Sequence, residues 1–189
     1  MAAIPNLIII GCWVIFFVWW AVSAFGQKRM AEEESFLSTL VYRTPLMLGG
    51  WLLWFPKFRY PLNGSFTPST EFARVLGAAI CVFGLLITLW SRWSLAGNWS
   101  SEVAFKPAHE LVKTGPYRFV RHPIYSGLLL MCLGTVVGAG QLHSWLGFLL
   151  LGIGFWIKLK KEERLMLRHF PDEYQAYKSE VEALVPFVI

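Results

Sequence analysis

"GPYRFVRHPIYSG" (Gly115–Gly127) is followed directly by the apolar run "LLLMCLGTVVGAG" (Leu128–Gly140). The first stretch places two arginines, two tyrosines, two prolines and a histidine at the foot of a hydrophobic segment. Proline is well tolerated at the first position of a helix, where its missing N–H would be unsatisfied anyway. The sequence therefore predicts a helix that begins at Pro123, with His122 at or near its cap and Arg121 just outside it.

The composition indicates a membrane protein. The chain has 189 residues, of which 56% are hydrophobic, and its mean hydropathy is +0.50. A soluble domain of this length is more polar. Apolar runs of roughly 17–20 residues recur, which is the length that crosses a bilayer core of about 30 Å. We predict an all-α integral membrane protein with one membrane domain, and no nucleic-acid partner because no basic stripe is interleaved with aromatics.

Five apolar segments are candidate transmembrane helices, and a C-terminal cytoplasmic amphipathic helix is predicted to follow them at Phe170–Val181. Pro45 and Gly49–Gly50 interrupt the second segment, which is short. Residues 1–96 hold the first three spans, and residues 97–189 hold a core with a helical hairpin. The five spans are Leu7–Phe25, Leu40–Phe55, Val75–Trp93, Pro123–Gly140 and Trp145–Leu159.

The first span could instead be a cleaved signal peptide, because "VSA" (Val22–Ala24) resembles a cleavage site. No basic residue precedes the run, the run is long, and Lys28 and Arg29 follow it directly. These features favour a retained span.

Lysine and arginine predict the orientation, since they are enriched in cytoplasmic loops. The N-terminus and the loop between spans four and five carry none. The segments after spans three and five carry many, among them Arg121 and Lys160. We therefore predict the N-terminus outside and the C-terminus in the cytoplasm; Lys57 and Arg59, between spans two and three, fit this poorly.

Spans four and five are joined by only a few residues, so they are predicted to form an antiparallel hairpin. Their far ends then lie at nearly the same membrane depth, at about 1.5 Å per residue. This brings "RHPIY" (Arg121–Tyr125) level with "KKEERL" (Lys160–Leu165) at the cytoplasmic face.

The two polar clusters have complementary chemistry. A helix N-terminus beside an arginine favours a carboxylate or phosphate. Glu162 and Glu163, expected at a helix C-terminus, need a cationic ligand, sugar hydroxyls or nearby arginines as partners. S-adenosylmethionine has a carboxylate, an ammonium, a sulfonium and a ribose, so it would satisfy both. An interfacial arginine–tyrosine anchor and a solvated helix end would give the same residues, and both readings stay open at this point.

A longer pattern resembles a known family. "HELVKTGPYRFVRHPIYSG" (His109–Gly127), then "EERLMLRHFPDEYQAYKSEV" (Glu162–Val181) and a terminal "VPF", resembles the isoprenylcysteine carboxyl methyltransferases and the related phospholipid methyltransferases. The resemblance covers about half of the chain, from "GNWS" at Gly97 to the C-terminus. It implies an integral membrane methyltransferase that uses S-adenosylmethionine on a lipophilic small-molecule or prenylated acceptor.

The resemblance also implies roles for individual residues. Arg121 and Glu163 are the candidate catalytic residues, which would position the acceptor. Lys158 lies one helical turn before Glu162, where members of the family carry an arginine, and is the candidate for binding the acceptor. The cofactor-binding residues would be His109, Glu110, Leu111, Val112, Tyr117, His122, Pro123, Ile124, Tyr125 and Glu162.

The acceptor stays open between a carboxylate, an amine and a thiol. A carboxylate arrives ionised and needs only positioning, whereas an amine must lose a proton to Glu163 or His122. A membrane reductase of the sterol-reductase type, which shares an "RHPxY" stretch, and a non-catalytic scaffold are the alternatives. No metal is predicted, because the histidines are dispersed.

The glycines of spans four and five are predicted to be close-packing points between helices. They are Gly134, Gly138, Gly147 and Gly152.

Overall fold

A computed structural model of the chain describes residues 3–24, 36–54, 62, 64–95 and 111–186. Within these residues the regular structure is helical, with two isolated β-bridges and no β-strand. A 3-10 helix, Gly115–Arg118, precedes the fourth α-helix. The α-helices are α1 (Ala3–Ala24), α2 (Phe36–Trp54), α3 (Glu71–Leu95), α4 (Pro123–Ala139), α5 (Leu142–His169) and α6 (Pro171–Glu180). The all-α prediction is confirmed.

Three of the helices, α1, α3 and α5, are long and apolar enough to cross a membrane. Helix α4 is apolar but shorter, with 17 residues. Helix α2 has 19 residues and contains Pro45 in its interior. The expected interruption of this segment at Pro45 and Gly49–Gly50 is wrong, because one continuous helix passes through all three residues.

Helix α5 extends ten residues beyond the predicted end at Leu159. Its 28 residues correspond to a length of about 42 Å, more than the bilayer core requires. Glu162 and Glu163 therefore lie inside a helix, with two further turns after them, and the expectation that they lie at a helix C-terminus is wrong.

Glycines allow two pairs of helices to approach closely. A Cβ atom on Gly84 of α3 would lie 2.6 Å from the carbonyl oxygen of Gly127 on α4, and Gly77 contacts Gly134 in the same way. A Cβ atom on Gly147 of α5 would lie 2.8 Å from the carbonyl oxygen of Gly49 on α2. Helices α3 and α4 thus form one tight pair, and α2 and α5 form another.

Among the predicted packing glycines, Gly134 and Gly147 are confirmed, and Gly138 faces Ile9 of α1 at 3.2 Å. Gly152 is not a packing point, because a Cβ atom there would meet nothing within 4 Å.

The turn between α4 and α5 is as tight as predicted. Gly140 ends α4 with a φ of 66°, a left-handed conformation that glycine adopts without steric cost. Residues 64–67 close this end of the bundle, where the N–H of Phe66 donates to the carbonyl of Gly140 at 2.8 Å. The start of α4 and the last third of α5 consequently meet at the opposite end of the bundle.

Candidate functional site

The polar residues of the sequence pattern meet where the start of α4 lies beside the last third of α5. Pro123 begins α4 and His122 is its N-cap, as predicted. Arg121 faces Glu163 of α5, and His122 faces Glu162. The expected juxtaposition of the two clusters is present, and it divides into two groups of different character.

The first group is a buried ion cluster that we call the clamp: Arg121, Glu163 and Lys178. The Nε and Nη2 atoms of Arg121 donate to Oε1 of Glu163 at 2.9 and 2.6 Å, and the two side chains are 6% and 2% exposed. Nζ of Lys178 on α6 lies 3.2 Å from Oε2 of Glu163. Nη1 of Arg121 donates to the backbone carbonyls of Lys178 and Val181. The clamp therefore joins α4, α5, α6 and the segment that follows α6.

That segment, residues 181–186, also lies against the start of α4. The backbone N–H of Arg121 donates to the carbonyl of Glu182 at 2.8 Å, and that of His122 donates to the carbonyl of Ala183 at 2.9 Å. These backbone groups and the Arg121 guanidinium were expected to form an anion-binding corner. The protein's own carbonyls and Glu163 occupy that corner, so this expectation is wrong.

The second group, which we call the open cluster, consists of His122, Tyr125, Lys158 and Glu162. The Tyr125 hydroxyl donates to Oε1 of Glu162, and Nδ1 of His122 lies 3.5 Å from Oε2. The imidazole and the Tyr125 ring are stacked, with centroids 5.6 Å apart and planes within 2°. Nζ of Lys158 lies 3.9 Å from Oε1 of Glu162. The other three residues thus converge on the carboxylate of Glu162.

The open cluster retains polar capacity for a ligand. The Glu162 side chain is 22% exposed, far more than that of Glu163. Nε2 of His122 is buried without a hydrogen-bond partner in the described part of the chain. Burial by itself would lower the pKa of His122, but Glu162 and Glu163 beside the ring raise it, and the net pKa lies above its usual value.

Helix α2 contributes a residue that the sequence analysis missed. Tyr42 is buried, and its ring lies 5.8 Å from Nζ of Lys158 and 5.2 Å from Nζ of Lys161. The Tyr125 ring lies 5.6 Å from Nζ of Lys158 on another side. Lys158 is thus held beside two tyrosine rings. The available signal was a tyrosine next to Arg43 inside an otherwise apolar segment.

Tyr117 lies in the 3-10 helix before α4 and is buried. Its backbone carbonyl accepts a hydrogen bond from the Tyr177 hydroxyl of α6. Burial raises the pKa of the Tyr117 phenol well above its usual range, and the charge of Glu162 adds to the increase. The phenol therefore keeps its proton and can donate a hydrogen bond.

The remaining predicted cofactor residues differ in position. Pro123 and Ile124 are buried, and Ile124 belongs to the hydrophobic core. Leu111 and Val112 are half-buried in the segment before the 3-10 helix. His109 and Glu110 lie outside the described residues.

Comparison with known proteins agrees with the sequence pattern. Residues 72–173 match the family model described as phospholipid methyltransferase. The protein-S-isoprenylcysteine O-methyltransferase of Saccharomyces cerevisiae is 28% identical over 127 residues, which are 66% of this chain and 53% of the yeast protein. The Homo sapiens protein of that name is 27% identical over 175 residues, 88% of this chain and 59% of the human protein.

A relative with a different acceptor in its name is also similar. Phosphatidylethanolamine N-methyltransferase B of Dictyostelium discoideum is 28% identical over 90 residues, 47% of this chain and 45% of that protein. The chain spans about half the length of the curated relatives it matches.

Proposed function

The chain belongs to the phospholipid methyltransferase family, and from this premise we propose that it is an integral membrane enzyme that transfers a methyl group from S-adenosylmethionine to a lipophilic acceptor. The observation that carries the proposal is the convergence of His122, Tyr125 and Lys158 on the carboxylate of Glu162. The relatives' names mention an S-isoprenylcysteine or phosphatidylethanolamine, which are both acceptors with long hydrocarbon parts.

We propose that α1 to α5 all cross the bilayer as one membrane domain, with the site at the cytoplasmic face and α6 as an amphipathic cytoplasmic helix. The lengths of α1, α3 and α5 support crossing, and the alternating directions of the helices place α2 and α4 between them. The excess of lysine and arginine at the end of the bundle that holds the site supports its cytoplasmic orientation.

The residues present fit S-adenosylmethionine. Nε2 of His122, which lies 3.8 Å from Oε1 of Glu163 and has no hydrogen-bond partner among the described residues, can donate to a ligand. The partly exposed carboxylate of Glu162 beside it can accept. The carboxylate favours a positively charged group, and the Tyr125 ring beside it adds an aromatic face that favours cations. Tyr117, Leu111 and Val112 lie on the chain just before these residues, and by resemblance His109 and Glu110 complete the set.

S-adenosylmethionine, when bound, would supply an electrophilic methyl group on a sulfonium ion. The residues of the site would hold donor and acceptor in line and exclude water, which is where catalysis of such a displacement chiefly arises. Arg121 and Glu163 would act as positioning residues, because the clamp fixes His122 and Glu162 through their immediate neighbours in the chain.

The acceptor that the site supports best is a carboxylate. Lys158 gives the open cluster a positive charge that can pair with an ionised acceptor carboxylate. No residue of the site then has to remove a proton from the acceptor. An amine acceptor would need a base, and both candidates are poorly suited. Glu163 is surrounded by Arg121 and Lys178 and is 2% exposed, and the carboxylates of Glu162 and Glu163 beside His122 favour its protonated form. An isoprenylcysteine-like carboxylate is therefore the proposed acceptor class.

Calorimetry of the purified protein in detergent tests the proposal. We expect S-adenosylmethionine to bind and NADPH to give no heat. Glu162→Gln or His122→Gln removes a charged hydrogen-bonding group from the site, which costs about 1.5–3 kcal/mol or at least a 10-fold increase in Kd. Glu173→Gln, an exposed carboxylate on α6, is the matched control and should bind like the wild type.

Binding of NADPH in place of S-adenosylmethionine would support a reductase and contradict the proposal. Incubation with isotopically labelled methyl donor and total membrane lipid, followed by mass spectrometry, then identifies the methylated acceptor. Donor binding without any labelled product would indicate a scaffold without turnover.

A further inference from the structure

An apolar cavity of about 200 Å³ lies between α1, α2, α4 and α5. Leu128 and Cys132 of α4 and Leu151 and Phe155 of α5 line one side of it. The other side is formed by α1 and α2, through Trp13, Phe16, Gly50, Leu53 and Trp54. No charged side chain lines the cavity, so its contents must be hydrocarbon or another apolar group.

The cavity lies next to the open cluster along the same two helices. The Phe155 ring, at the edge of the cavity, lies 5.1 Å from the Tyr125 ring. Leu128 follows Tyr125 by one turn of α4, and Lys158 follows Phe155 by one turn of α5. At about 1.5 Å per residue, Phe155 and Glu162 are about 10 Å apart along the helix. A molecule with its carboxylate at Lys158 would therefore extend its tail into the cavity.

We propose that this cavity binds the hydrocarbon chain of the acceptor and selects chains of about eight carbons. The inference rests on the proposed function and adds the length of the acceptor. A cavity of about 150 Å³ accommodates one benzene molecule, so about 200 Å³ accommodates roughly eight carbon atoms. Farnesyl and geranylgeranyl chains are longer than the cavity.

Two tryptophans line the end of the cavity that lies farther from the open cluster. The indole rings of Trp13 and Trp54 meet edge to face with centroids 5.2 Å apart. Nε1 of Trp13 donates to the Thr135 hydroxyl at 3.0 Å, which fixes that indole against α4. Thr135 lies ten residues beyond Tyr125, or about 15 Å along the helix. The two tryptophans thus limit how far a chain can extend.

Gly50 provides the space on the α2 side. A Cβ atom on Gly50 would meet nothing within 4 Å, although the neighbouring Gly49 packs against Gly147 and Leu151 of α5. One glycine of this pair permits helix contact, and the other leaves the cavity open. Gly50 is therefore the position where an added side chain fills the cavity without displacing protein atoms.

The two sides of the cavity differ in whether the family model covers them. Residues 72–173 match the family model, and they supply the open cluster and the α4 and α5 side of the cavity. Helices α1 and α2 lie before the matched region and supply the other side. Chain-length selectivity would thus be encoded in α1 and α2, separately from the reacting groups.

A series of N-acetyl-S-alkylcysteines with tails of 4 to 20 carbons tests the length selection. We expect kcat/KM of the wild type to be highest at about eight carbons and to fall at least tenfold by about 15. Gly50→Leu should move the optimum to tails shorter by about four carbons, the size of the added side chain. Gly152→Leu is the matched control, since a Cβ atom there also meets nothing within 4 Å but Gly152 does not line the cavity.

An unchanged optimum in Gly50→Leu, or a kcat/KM that rises steadily to 20 carbons, would overturn the inference while leaving the methyltransferase proposal intact.

A second measurement does not depend on turnover. An alkyl carboxylate with a terminal diazirine is photolysed with the protein in the absence of methyl donor, and the crosslinked peptides are identified by mass spectrometry. We expect crosslinks at residues 13–16 and 50–54, lost in Gly50→Leu and kept in Gly152→Leu. Crosslinks confined to outward-facing residues such as Leu149 and Ile153 would contradict the inference, as would equal labelling by a diazirine phosphatidylcholine. Cavity crosslinks without methyl transfer to any member of the series would support the cavity and reject the proposed function.

Discussion

The clamp and the open cluster are built on adjacent residues of one helix and yet are physically opposite. Glu163 is 2% exposed and lies between Arg121 and Lys178, whereas Glu162 is 22% exposed and faces His122, Tyr125 and Lys158. Successive residues of an α-helix point about 100° apart, so neighbouring carboxylates face different surroundings. Two adjacent glutamates can therefore differ in kind: one carboxylate is buried in an ion cluster, and the other stays accessible to a ligand.

The largest expected effect is on the clamp. Glu163→Gln leaves the buried guanidinium of Arg121 without its charged partner, which should cost about 3–5 kcal/mol of unfolding free energy. The measurement is chemical or thermal unfolding of the purified protein in detergent micelles. Glu162→Gln serves as the adjacent control and should lose less than about 1.5 kcal/mol, since its carboxylate is partly solvated. Equal losses in the two variants would mean that the clamp and the open cluster are not distinct.

A smaller effect is expected for Lys158, which belongs to the open cluster. Lys158→Met removes a charged hydrogen-bond donor worth about 1.5–3 kcal/mol, so kcat/KM for an S-alkylcysteine carboxylate should fall by roughly 10- to 150-fold. The Kd of S-adenosylmethionine, measured by calorimetry, should change by much less, and Lys158→Arg should restore most of the activity. A carboxylate acceptor that is methylated as well by Lys158→Met as by the wild type would refute a carboxylate-binding role.

The pH dependence of stability tests the link between the two groups, because His122 lies between Glu162 and Glu163. Its pKa is raised in the folded protein above the usual value of 6.5. The stabilisation of the folded protein by protonated His122 is therefore fully present below about pH 6.5. It is lost as the pH rises through the folded-state pKa, by at most about 1.4 kcal/mol per unit by which the folded-state pKa exceeds the unfolded-state pKa. The difference in thermal midpoint between the wild type and His122→Gln should shrink from pH 5.5 to 8.5. A difference that is constant or grows over this interval would contradict the raised pKa.

The smallest effect is expected outside both groups. Lys113 and Glu173 form an ion pair at 2.9 Å, but both side chains are well exposed. Glu173→Gln should change the unfolding free energy by about 0–1 kcal/mol, as is usual for solvated pairs. A larger loss would indicate that this exposed ion pair, and not only the clamp, holds α6 against the rest of the protein.

Much of this architecture was predictable because it depends on local patterns. Pro123 begins α4 and His122 caps it, since a proline followed by an apolar run specifies a helix start. The short connection at Gly140 specifies an antiparallel hairpin, and the hairpin brings Arg121 and His122 to Glu162 and Glu163. The predicted end of α5 at Leu159 is too early, because a charged run does not by itself end a helix. The run marks only the point where the apolar part of α5 ends.

Other features depended on contacts between distant segments. The corner beside Arg121 is occupied by the carbonyls of Glu182 and Ala183, which no pattern near Arg121 indicates. Tyr42 reaches Lys158 only because α2 packs against α5 through Gly49 and Gly147. Gly152 resembles its neighbouring glycines in sequence, yet it faces no helix.

The sequence by itself determined the class of the protein, since apolar length, helix punctuation and the spacing of the RHP and EE motifs are properties of a single chain segment. Only the tertiary structure decided that Glu163 is buried and Glu162 remains accessible. It alone also decided that α1 and α2 line an apolar cavity together with α4 and α5. The physical reason is that burial and pairing are set by the neighbours a side chain meets in space, and the packing of the helices fixes which side of α5 faces each neighbour.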